Sequence, residues 1–415
     1  MYDVIVVGAR PAGAATAMLL ARRGLRVLAV DRARFPSDTL STHQIQPSGT
    51  ERLRRWGLLD RLLAAGTPAT ERVRFDLGGT VLQGRFPEGV LYSPRRTVLD
   101  AILVGAAREA GAEVREGFHV AGLVWDDRGV AGIRGRDGTE LRAPVVVGAD
   151  GKHSLVAKEV AAPVQRNVAP RTVASYAYWE GVEPWKGSEP WKGSEPWKGS
   201  EPWKGGEHRA GGEQRHGELY HRPGRAVAAF PTNDGLTMVY AAAPIDKFST
   251  WRTDVEGHLL ATLDRCGDLG ERVRAGRRVE RLRTTVDLPN VVRRAQGPGW
   301  FLAGDAGLVM DPVTAQGIGN ALADAELLAE TIAEGRTDYQ RRRDAARLPI
   351  FGLTTGLAAL RPAKGLNAVL LKAIARREAS TEQFLGVFAG TVPVRTFRRS
   401  IPRMLVQRAR GWAVA

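Results

Sequence analysis

A glycine-rich turn near the start of the chain has the spacing of a site that binds the phosphates of a dinucleotide. The apolar segment Tyr2–Val7 predicts a buried strand, and it leads directly into a turn that contains Gly8, Arg10, Ala12 and Gly13. Gly8 permits the tight turn, Gly13 allows close helix–strand packing, and the helix start offers free amide groups to a pyrophosphate. Because Arg10 occupies the position of the second glycine in this fingerprint, its side chain must turn away from the phosphates or contact them.

The segments on either side of this turn complete a strand–helix–strand unit. A helix is predicted to run to about Arg23, Gly24 stops it, and a second strand, Val27–Val30, ends at Asp31. Asp31 is then placed to accept hydrogen bonds from the hydroxyl groups of a ribose. The strand, the helix and the acidic residue together favour nucleotide binding over a purely structural turn.

Two more strand-to-turn motifs lie further along the chain. Val145–Val147 predicts a strand that leads to Asp150 in the sequence GADG, and Trp300–Ala303 predicts a strand that leads to Gly304 and Asp305. The third motif continues through a glycine-rich helix start, whose candidate site residues are Pro312, Gly317, Ile318, Gly319 and Asn320.

The three motifs in this order, with the sequence RTVLD at Arg96–Asp100, resemble those of FAD-dependent monooxygenases of the para-hydroxybenzoate hydroxylase type. They also resemble the geranylgeranyl-reductase-like relatives of these enzymes. The resemblance covers residues 1 to about 330. It implies an α/β fold with a Rossmann-like FAD-binding domain, in which Arg96 holds the cofactor chain and Asp150 ties the middle segment to the site.

The residues of the third motif are suited to binding FAD. Asp305 follows a strand beside a glycine, so it can approach the cofactor and accept hydrogen bonds from the hydroxyls of a ribityl chain, which a nicotinamide dinucleotide lacks. The amides of the Gly317–Asn320 turn would face the pyrimidine edge of the flavin, where negative charge collects on reduction. The alternative is that Asp150 and Asp305 only cap helices or turns.

The middle of the chain predicts a sheet that is inserted into the FAD-binding domain. Alternating strand patterns occupy Val173–Trp179, Gly217–Phe230 and Leu236–Ala243, and a helical pattern begins near Ala315 and continues to the end. We therefore expect a discontinuous FAD-binding domain, a mostly antiparallel substrate domain and a basic helical C-terminal region. The predicted FAD-binding domain comprises residues 1–75, 95–170 and 285–335. The predicted substrate domain comprises residues 76–94 and 171–284, and the predicted C-terminal region comprises residues 336–415.

A short tandem repeat lies within the predicted substrate domain. The sequence EPWKG occurs four times in a predicted loop at 183–216, with tryptophans at Trp185, Trp191, Trp197 and Trp203. Six residues are too few for a solenoid unit, and each copy contains a proline and a glycine that oppose regular structure. We interpret the repeat as a tolerated loop; the alternative is a lid, a sticky surface or a ligand contact.

Composition and charge exclude several classes of protein. The chain has 415 residues, of which 43% are hydrophobic, and its single cysteine, Cys266, rules out a disulfide framework or a cysteine-built metal site. No metal site is expected. Residues 341–415 hold 15 Lys or Arg and three acidic residues, so most of the +15 net charge lies there. This distribution argues against nucleic-acid binding and favours a solvated basic tail, with a weak membrane-surface contact as the alternative.

The N-terminal sequence lacks the pattern of a signal peptide, and no apolar run is long enough to span a membrane. We therefore expect a cytoplasmic location. The sequence makes no prediction of oligomeric state.

The leading functional hypothesis is hydroxylation of a small organic substrate, aromatic or polycyclic. In this hypothesis NADH or NADPH reduces FAD, O2 adds to the reduced ring, and a flavin hydroperoxide transfers oxygen to the substrate in a dry pocket. The reductant would bind transiently, because the sequence contains no second dinucleotide fingerprint.

Three alternatives remain open. A geranylgeranyl-reductase-like enzyme would reduce carbon double bonds in a lipophilic substrate, although residues 35–49 lack the Cys-Gly pair common in such reductases. A flavin-dependent halogenase would need an early catalytic lysine and a WxWxIP motif, but no lysine precedes Lys152 and the motif is absent. The last alternative is a flavin-binding protein without catalytic activity.

His43 is the candidate catalytic side chain, because the segment after Asp31 returns toward the flavin in such folds. It could serve as an acid or base near neutral pH, or as a hydrogen-bonded structural histidine. Leu308 stands where many hydroxylases have a histidine. The predicted pocket lining from the middle sheet is Tyr176, Tyr178, Phe230, Met238 and Tyr240.

Overall fold

The computed structural model of the chain describes residues 1–185 and 216–412. The greater part of the predicted repeat loop, residues 186–215, lies outside the described residues, and so do Trp191, Trp197 and Trp203.

The strands within the described residues are β1 (Val4–Val7), β2 (Val27–Asp31), β3 (Ala69–Thr70), β4 (Arg72–Asp76), β5 (Val81–Arg85), β6 (Leu91–Tyr92), β7 (Glu113–Glu116), β8 (Val120–Asp126), β9 (Gly129–Gly135), β10 (Glu140–Arg142), β11 (Val145–Gly148), β12 (Val164–Val168), β13 (Thr172–Glu180), β14 (His216–Arg222), β15 (Arg225–Pro231), β16 (Thr237–Pro244), β17 (Arg277–Arg278), β18 (Arg283–Thr285), β19 (Asn290–Arg293), β20 (Gln296–Gly297), β21 (Trp300–Leu302) and β22 (Leu308–Val309). The α-helices in the same residues are α1 (Pro11–Ala21), α2 (Pro47–Arg55), α3 (Leu59–Ala64), α4 (Arg96–Glu109), α5 (Leu155–Glu159), α6 (Phe248–Trp251), α7 (Val255–Leu263), α8 (Leu269–Ala275), α9 (Gly317–Ala333), α10 (Tyr339–Leu357), α11 (Leu366–Ala375), α12 (Glu378–Ala389) and α13 (Val394–Trp412).

A six-stranded sheet forms the centre of the first unit. Its order is β20-β21-β11-β1-β2-β7, and every neighbouring pair except β20 and β21 is parallel. Parallel strands need crossover connections, and α1 supplies the one between β1 and β2. The residues Pro11–Leu20 of α1 are all buried, because the helix packs between α4 and α9 as well as on the sheet. The predicted Rossmann-like α/β fold is confirmed.

An eight-stranded sheet forms the second unit. Its order is β17-β13-β16-β15-β14-β4-β5, with β18 also paired to β13, and only β4 and β14 are parallel. The prediction of a mostly antiparallel sheet is confirmed. β4 lies in this sheet, paired on both sides, although the sequence analysis assigned residues up to 75 to the FAD-binding domain.

The two faces of the eight-stranded sheet contact different elements. Along β16, Met238, Tyr240 and Ala242 face one side, while Val239 and Ala241 face the other, as the two-residue period of a strand requires. The second face packs on α6, α7 and α8. The first face, with Phe230 from β15, is left for a cavity and for the C-terminal helices.

The C-terminal region is helical, as predicted, and α10 to α13 pack against β4 and β5. Phe75 and Leu82 from these strands share an apolar cluster with Ile350, Phe388 and Phe397. Not all of the basic side chains are solvated, because Arg343 is fully buried and donates hydrogen bonds to the Arg293 carbonyl and to Asp344.

Across the described residues, no helix combines the length and the apolar character that crossing a membrane requires. The same part of the chain holds no group of His, Cys, Asp or Glu arranged to bind a metal ion.

Candidate functional site

A cleft of about 570 Å³ lies at the carboxyl ends of β1, β11 and β21. Because neighbouring parallel strands end at the same edge of a sheet, the three motifs, about 150 residues apart in the chain, meet there. Of the predicted cofactor-binding residues, those that line the cleft are Gly8, Arg10, Ala12, Asp31, Arg96, Asp150, Asp305, Pro312, Gly317 and Ile318.

The other predicted residues lie behind the cleft wall. A Cβ atom at Gly13 would lie 1.7 Å from the Gly8 carbonyl oxygen, so only glycine permits this approach of helix and turn. Gly8 itself has a φ of +99°, which favours glycine. Gly304, two residues after β21, has a φ of +58°, and Gly319 and Asn320 lie in the first turn of α9. These residues shape the backbone around the cleft.

Asp305 faces into the cleft, and its carboxylate has no hydrogen-bond partner in residues 1–185 or 216–412. The residue is partly exposed, and desolvation by the surrounding protein raises the pKa of its carboxyl group. Arg96 and Lys152 oppose this shift in pKa, while Asp324 adds to it. A carboxylate without a protein partner fits a ligand that presents several hydroxyl donors, as a ribityl chain does.

Arg10 and Arg96 share the buried carboxylate of Asp100. Arg10 Nη1 donates a hydrogen bond to Oδ2 at 2.5 Å, and Arg96 donates through Nε and Nη2 at 3.0 and 2.9 Å. Arg10 Nη2 also donates to Ser37 Oγ at 3.0 Å. Two guanidinium groups and one carboxylate leave an excess positive charge beside the N-terminus of α1. This arrangement fits the negative charge of a pyrophosphate.

Asp100 is a site residue that the sequence analysis did not assign. The RTVLD motif contains it, but a carboxylate four residues after an arginine on a helix is ordinarily a surface pair. Only the folded chain shows that Asp100 is fully buried and that Arg10, 90 residues earlier, bonds to it.

Asp31 and Asp150 line the cleft while bonding to nearby backbone. The Asp31 carboxylate accepts hydrogen bonds from the amides of Ala9 and Ala33, both at 2.8 Å. The Asp150 carboxylate accepts from Ser154 Oγ at 2.5 Å and from the Leu155 amide at 2.6 Å, which holds the start of α5. Both residues therefore order the cleft wall, and their contacts with a cofactor stay a prediction.

His43 lies in a buried aromatic cluster and is not among the described residues that line the cleft. Its Nε2 lies 2.6 Å from the Tyr178 hydroxyl oxygen, and its ring meets those of Tyr176 and Tyr178 edge to face. Burial, followed by the nearby charge of Arg96, lowers the pKa of His43 to about 3. The ring is neutral at pH 7, and this setting favours the structural interpretation; the catalytic role stays a prediction.

We expect His43→Asn to flatten the pH dependence of stability. An unfolded histidine titrates near pH 6.5 and the folded one near 3, so the unfolded chain binds one more proton between these values. The stabilisation due to His43 is present above about pH 6.5 and is lost as the pH falls through this window. One proton accounts for up to about 1.4 kcal/mol per pH unit. Asparagine suits the backbone here, because the φ of His43 is 64°.

Urea unfolding between pH 4 and pH 7 measures this effect. The free energy of unfolding should fall more steeply toward low pH for the wild type than for His43→Asn. Parallel curves would show that the folded protein binds a proton at His43 as readily as the unfolded chain does.

A second, smaller cavity of about 40 Å³, here called the chamber, adjoins the cleft. Thr42, Tyr240, Pro312 and Ala315 line both cavities. The apolar walls of the chamber come from β4, β14, β15, α10 and α12, and from the segment that contains β6. The large apolar side chains in these walls are Phe75, Phe86, Leu91, Leu219, Phe230, Leu357, Leu385 and Phe388.

The predicted pocket lining is correct for part of the set. Phe230 and Tyr240 line the chamber, and Tyr176 lines the cleft, whereas Tyr178 and Met238 are not among the described residues that line either cavity. The contribution of α12 was not predicted, because no local pattern shows which sheet a C-terminal helix will cover.

Comparison with known proteins identifies the protein family. Residues 1–339 match the family model described as FAD binding domain, and the chain belongs to this family. The recognition of an FAD-binding fold from the three motifs is therefore confirmed.

Individual relatives carry different activities. The chain is 33% identical over 174 residues to 6-methylpretetramide 4-monooxygenase of Streptomyces rimosus. The aligned region covers 40% of this chain and 42% of that protein. It is 32% identical over 164 residues to digeranylgeranylglycerophospholipid reductase of Methanosarcina acetivorans, covering 38% of this chain and 40% of that protein. The chain thus matches less than half the length of both curated relatives.

A solved structure of a flavin-dependent brominase extends the similarity in fold. It covers 97% of this chain and 98% of its own length with a TM-score of 0.75 and 18% sequence identity. The similarity therefore includes both sheets and the C-terminal helices.

Proposed function

We propose that the protein is an FAD-dependent monooxygenase that hydroxylates a small organic substrate. The observation that carries this proposal is the junction between the cavities: Pro312 and Ala315, within the third cofactor motif, line both the cleft and the chamber. A cofactor held in the cleft would therefore meet a substrate held in the apolar chamber.

In this proposal, different residues of the chain bind different parts of FAD. Asp305 would accept hydrogen bonds from the ribityl hydroxyls, and Arg10 and Arg96 would face the pyrophosphate at the start of α1. When bound, FAD supplies the redox and oxygen chemistry, for which the protein needs no nucleophile. Phe230, Phe388 and their neighbours exclude water from the chamber, which protects a reactive oxygen donor from wasteful breakdown.

The reductant in this proposal is NADH or NADPH, and O2 is the co-substrate. Neither the sequence nor the described strands contain a second dinucleotide-binding turn, which supports transient binding of the reductant against the cleft. A cytoplasmic location belongs to the same proposal.

A reductase of carbon double bonds is the second candidate. The similarity to the archaeal reductase supports it, and so does the apolar chamber, which suits a lipophilic group as well as an aromatic ring. The brominase structure is only 18% identical to this chain in sequence, and none of the described residues that line the chamber is a lysine.

Steady-state oxidation of NADH and NADPH by the FAD-loaded protein tests the proposal. We expect candidate substrates to stimulate oxidation at least about tenfold in air, with an oxygenated product that incorporates ¹⁸O from ¹⁸O2, because the bound substrate completes the dry site. Oxygen-independent saturation of an alkene would favour the reductase instead. A brominated product in the presence of bromide would show a halogenase, and NAD(P)H oxidation that yields only peroxide with every substrate would contradict the monooxygenase.

A further inference from the structure

The first copy of the EPWKG repeat contacts the eight-stranded sheet. Its beginning, residues 183–185, belongs to the described part of the chain and starts three residues after the end of β13. The Cζ atom of Arg74, on β4, lies 4.8 Å from the centre of the Trp185 ring. A guanidinium group at this distance from an indole face makes a cation–π contact. The start of the repeat is therefore bound to a particular side chain of the sheet.

The surroundings of Arg74 suit it to an aromatic ligand. Its Cζ atom also lies 5.2 Å from the centre of the Tyr220 ring, and its Nη2 donates a hydrogen bond to Asp76 Oδ2 at 3.2 Å. The Nε and Nη1 atoms are buried, and neither has a hydrogen-bond partner among the described residues. An aromatic face partly replaces the lost hydration of such a cation, because its π system carries negative charge density.

A second arginine holds the backbone of the same repeat copy. Arg272, on α8, is 7% exposed, and its Nη1 donates a hydrogen bond to the Glu183 carbonyl oxygen at 2.8 Å. Its Nη2 donates to Glu218 Oε2 at 2.8 Å, and the Tyr220 hydroxyl donates to the same oxygen at 2.7 Å. These bonds orient Arg272 and Tyr220 without any contribution from the repeat. Arg74, Tyr220 and Arg272, here called the tryptophan site, thus form a built site for a Glu-Pro-Trp segment.

The chain carries four copies of the segment that this site binds. The copies begin at Glu183, Glu189, Glu195 and Glu201. The last tryptophan of the repeat, Trp203, precedes His216 by 13 residues, which can span up to about 45 Å. His216 pairs with Arg72, two residues before Arg74. The chain between the two strands is therefore long enough for any of the four copies to reach the site.

We propose that the tryptophan site is a peptide-binding site whose ligand is the repeat of the same chain, and that the four copies exchange in it. The first copy is favoured, because binding it closes one short and one long loop, whereas binding a later copy closes two loops of intermediate length. Since the closure cost grows only with the logarithm of loop length, this advantage is about four- to fivefold over each other copy. Loss of one tryptophan then leaves the site filled by another copy.

Urea unfolding of the FAD-loaded protein, at a fixed excess of FAD, tests this proposal. Ligands that bind only the folded state stabilise it through the sum of their binding constants. Trp185→Ala should therefore lower the folding equilibrium constant less than about threefold, because three copies remain. Trp191→Ala, Trp197→Ala and Trp203→Ala combined should lower it less than about twofold. Replacing all four tryptophans by alanine should lower it at least about tenfold, a change of about 1.4 kcal/mol.

Three controls separate the site from the general effect of losing tryptophan. Trp125→Ala removes a tryptophan of β8 that is 51% exposed, and it should change the folding constant less than about twofold. In an Arg74→Met background, replacing the four repeat tryptophans by alanine should also have an effect below about twofold, because the cation is gone. Replacing the four by leucine in the wild-type background should be as harmful as alanine, since leucine has apolar surface but no ring face.

Four results would overturn the proposal. An effect of Trp185→Ala as large as that of the fourfold replacement would show that the site accepts only the first copy. No effect of the fourfold replacement, or an equal effect in the Arg74→Met background, would show that the tryptophans do not bind at Arg74. Full stability of the leucine variant would assign the contact to apolar packing. A stability that rises with protein concentration, but only while the tryptophans are present, would assign the site to the repeat of a second chain.

Discussion

Asp305→Ala is expected to purify with little bound FAD and to bind added FAD about 10- to 100-fold more weakly than the wild type. The carboxylate of Asp305 faces the cleft and has no hydrogen-bond partner in the part of the chain that the structure describes, so we expect it to accept hydrogen bonds from the ribityl hydroxyls. Without it, those hydroxyls would stay buried and unpaired at about 1 to 3 kcal/mol. Flavin absorbance of the purified protein and fluorescence titration of the apoprotein measure this loss.

The stability of the apoprotein distinguishes a binding role from a structural one. Burial raises the pKa of Asp305, so the ionised carboxylate works against folding at pH 7, and this effect declines as the pH falls from the folded pKa toward the unfolded pKa. We therefore expect Asp305→Asn to melt at the same temperature as the wild-type apoprotein or higher. Asp264→Ala, at an exposed pair with Arg274, is the control and should keep its FAD. Full FAD occupancy in Asp305→Ala would remove this residue from the site.

Asp100→Asn is expected to lower the free energy of unfolding by about 3 kcal/mol and also to weaken FAD binding. The substitution removes the carboxylate that pairs with Arg10 and Arg96, and it leaves both guanidinium groups without an ion-pair partner among the described residues. Removing one partner of a buried ion pair costs about 3 to 5 kcal/mol, and the partial exposure of Arg10 places this case at the lower end.

Urea unfolding of the apoproteins, with FAD titration of the folded variants, measures both effects. Asp264→Asn is the matched control, because it breaks an exposed ion pair and should cost less than about 1 kcal/mol. If Asp100→Asn is no less stable than this control, the two arginines do not depend on Asp100.

The basic C-terminal region illustrates the limit of composition as a guide. Its charge predicts solvated side chains, yet α10 buries Arg343 completely, and α12 places Leu385 and Phe388 against the chamber. A helix in the sequence can be predicted from its own residues. The surface on which it packs depends on the shapes of both partners, which no single segment contains.

The sequence by itself determined the FAD-binding fold. Each motif is local: a strand, a turn and a helix start within about 20 residues, in which Gly8 and Gly13 are required by backbone geometry that adjacent residues set. The position of Asp305 at this edge of the sheet could be predicted for the same reason, since Asp305 directly follows a predicted strand; its contact with the cofactor stays a prediction.

The tertiary structure decided the properties that depend on contacts between distant segments. Asp100 joins Arg10 across 90 residues, and His43 loses its basicity in a cluster with Tyr178, 135 residues away. The chamber likewise brings Gln46 and Tyr240 to one cavity. Burial and pairing set the charge and hydrogen-bonding capacity of a side chain, and both arise only when separate elements pack together.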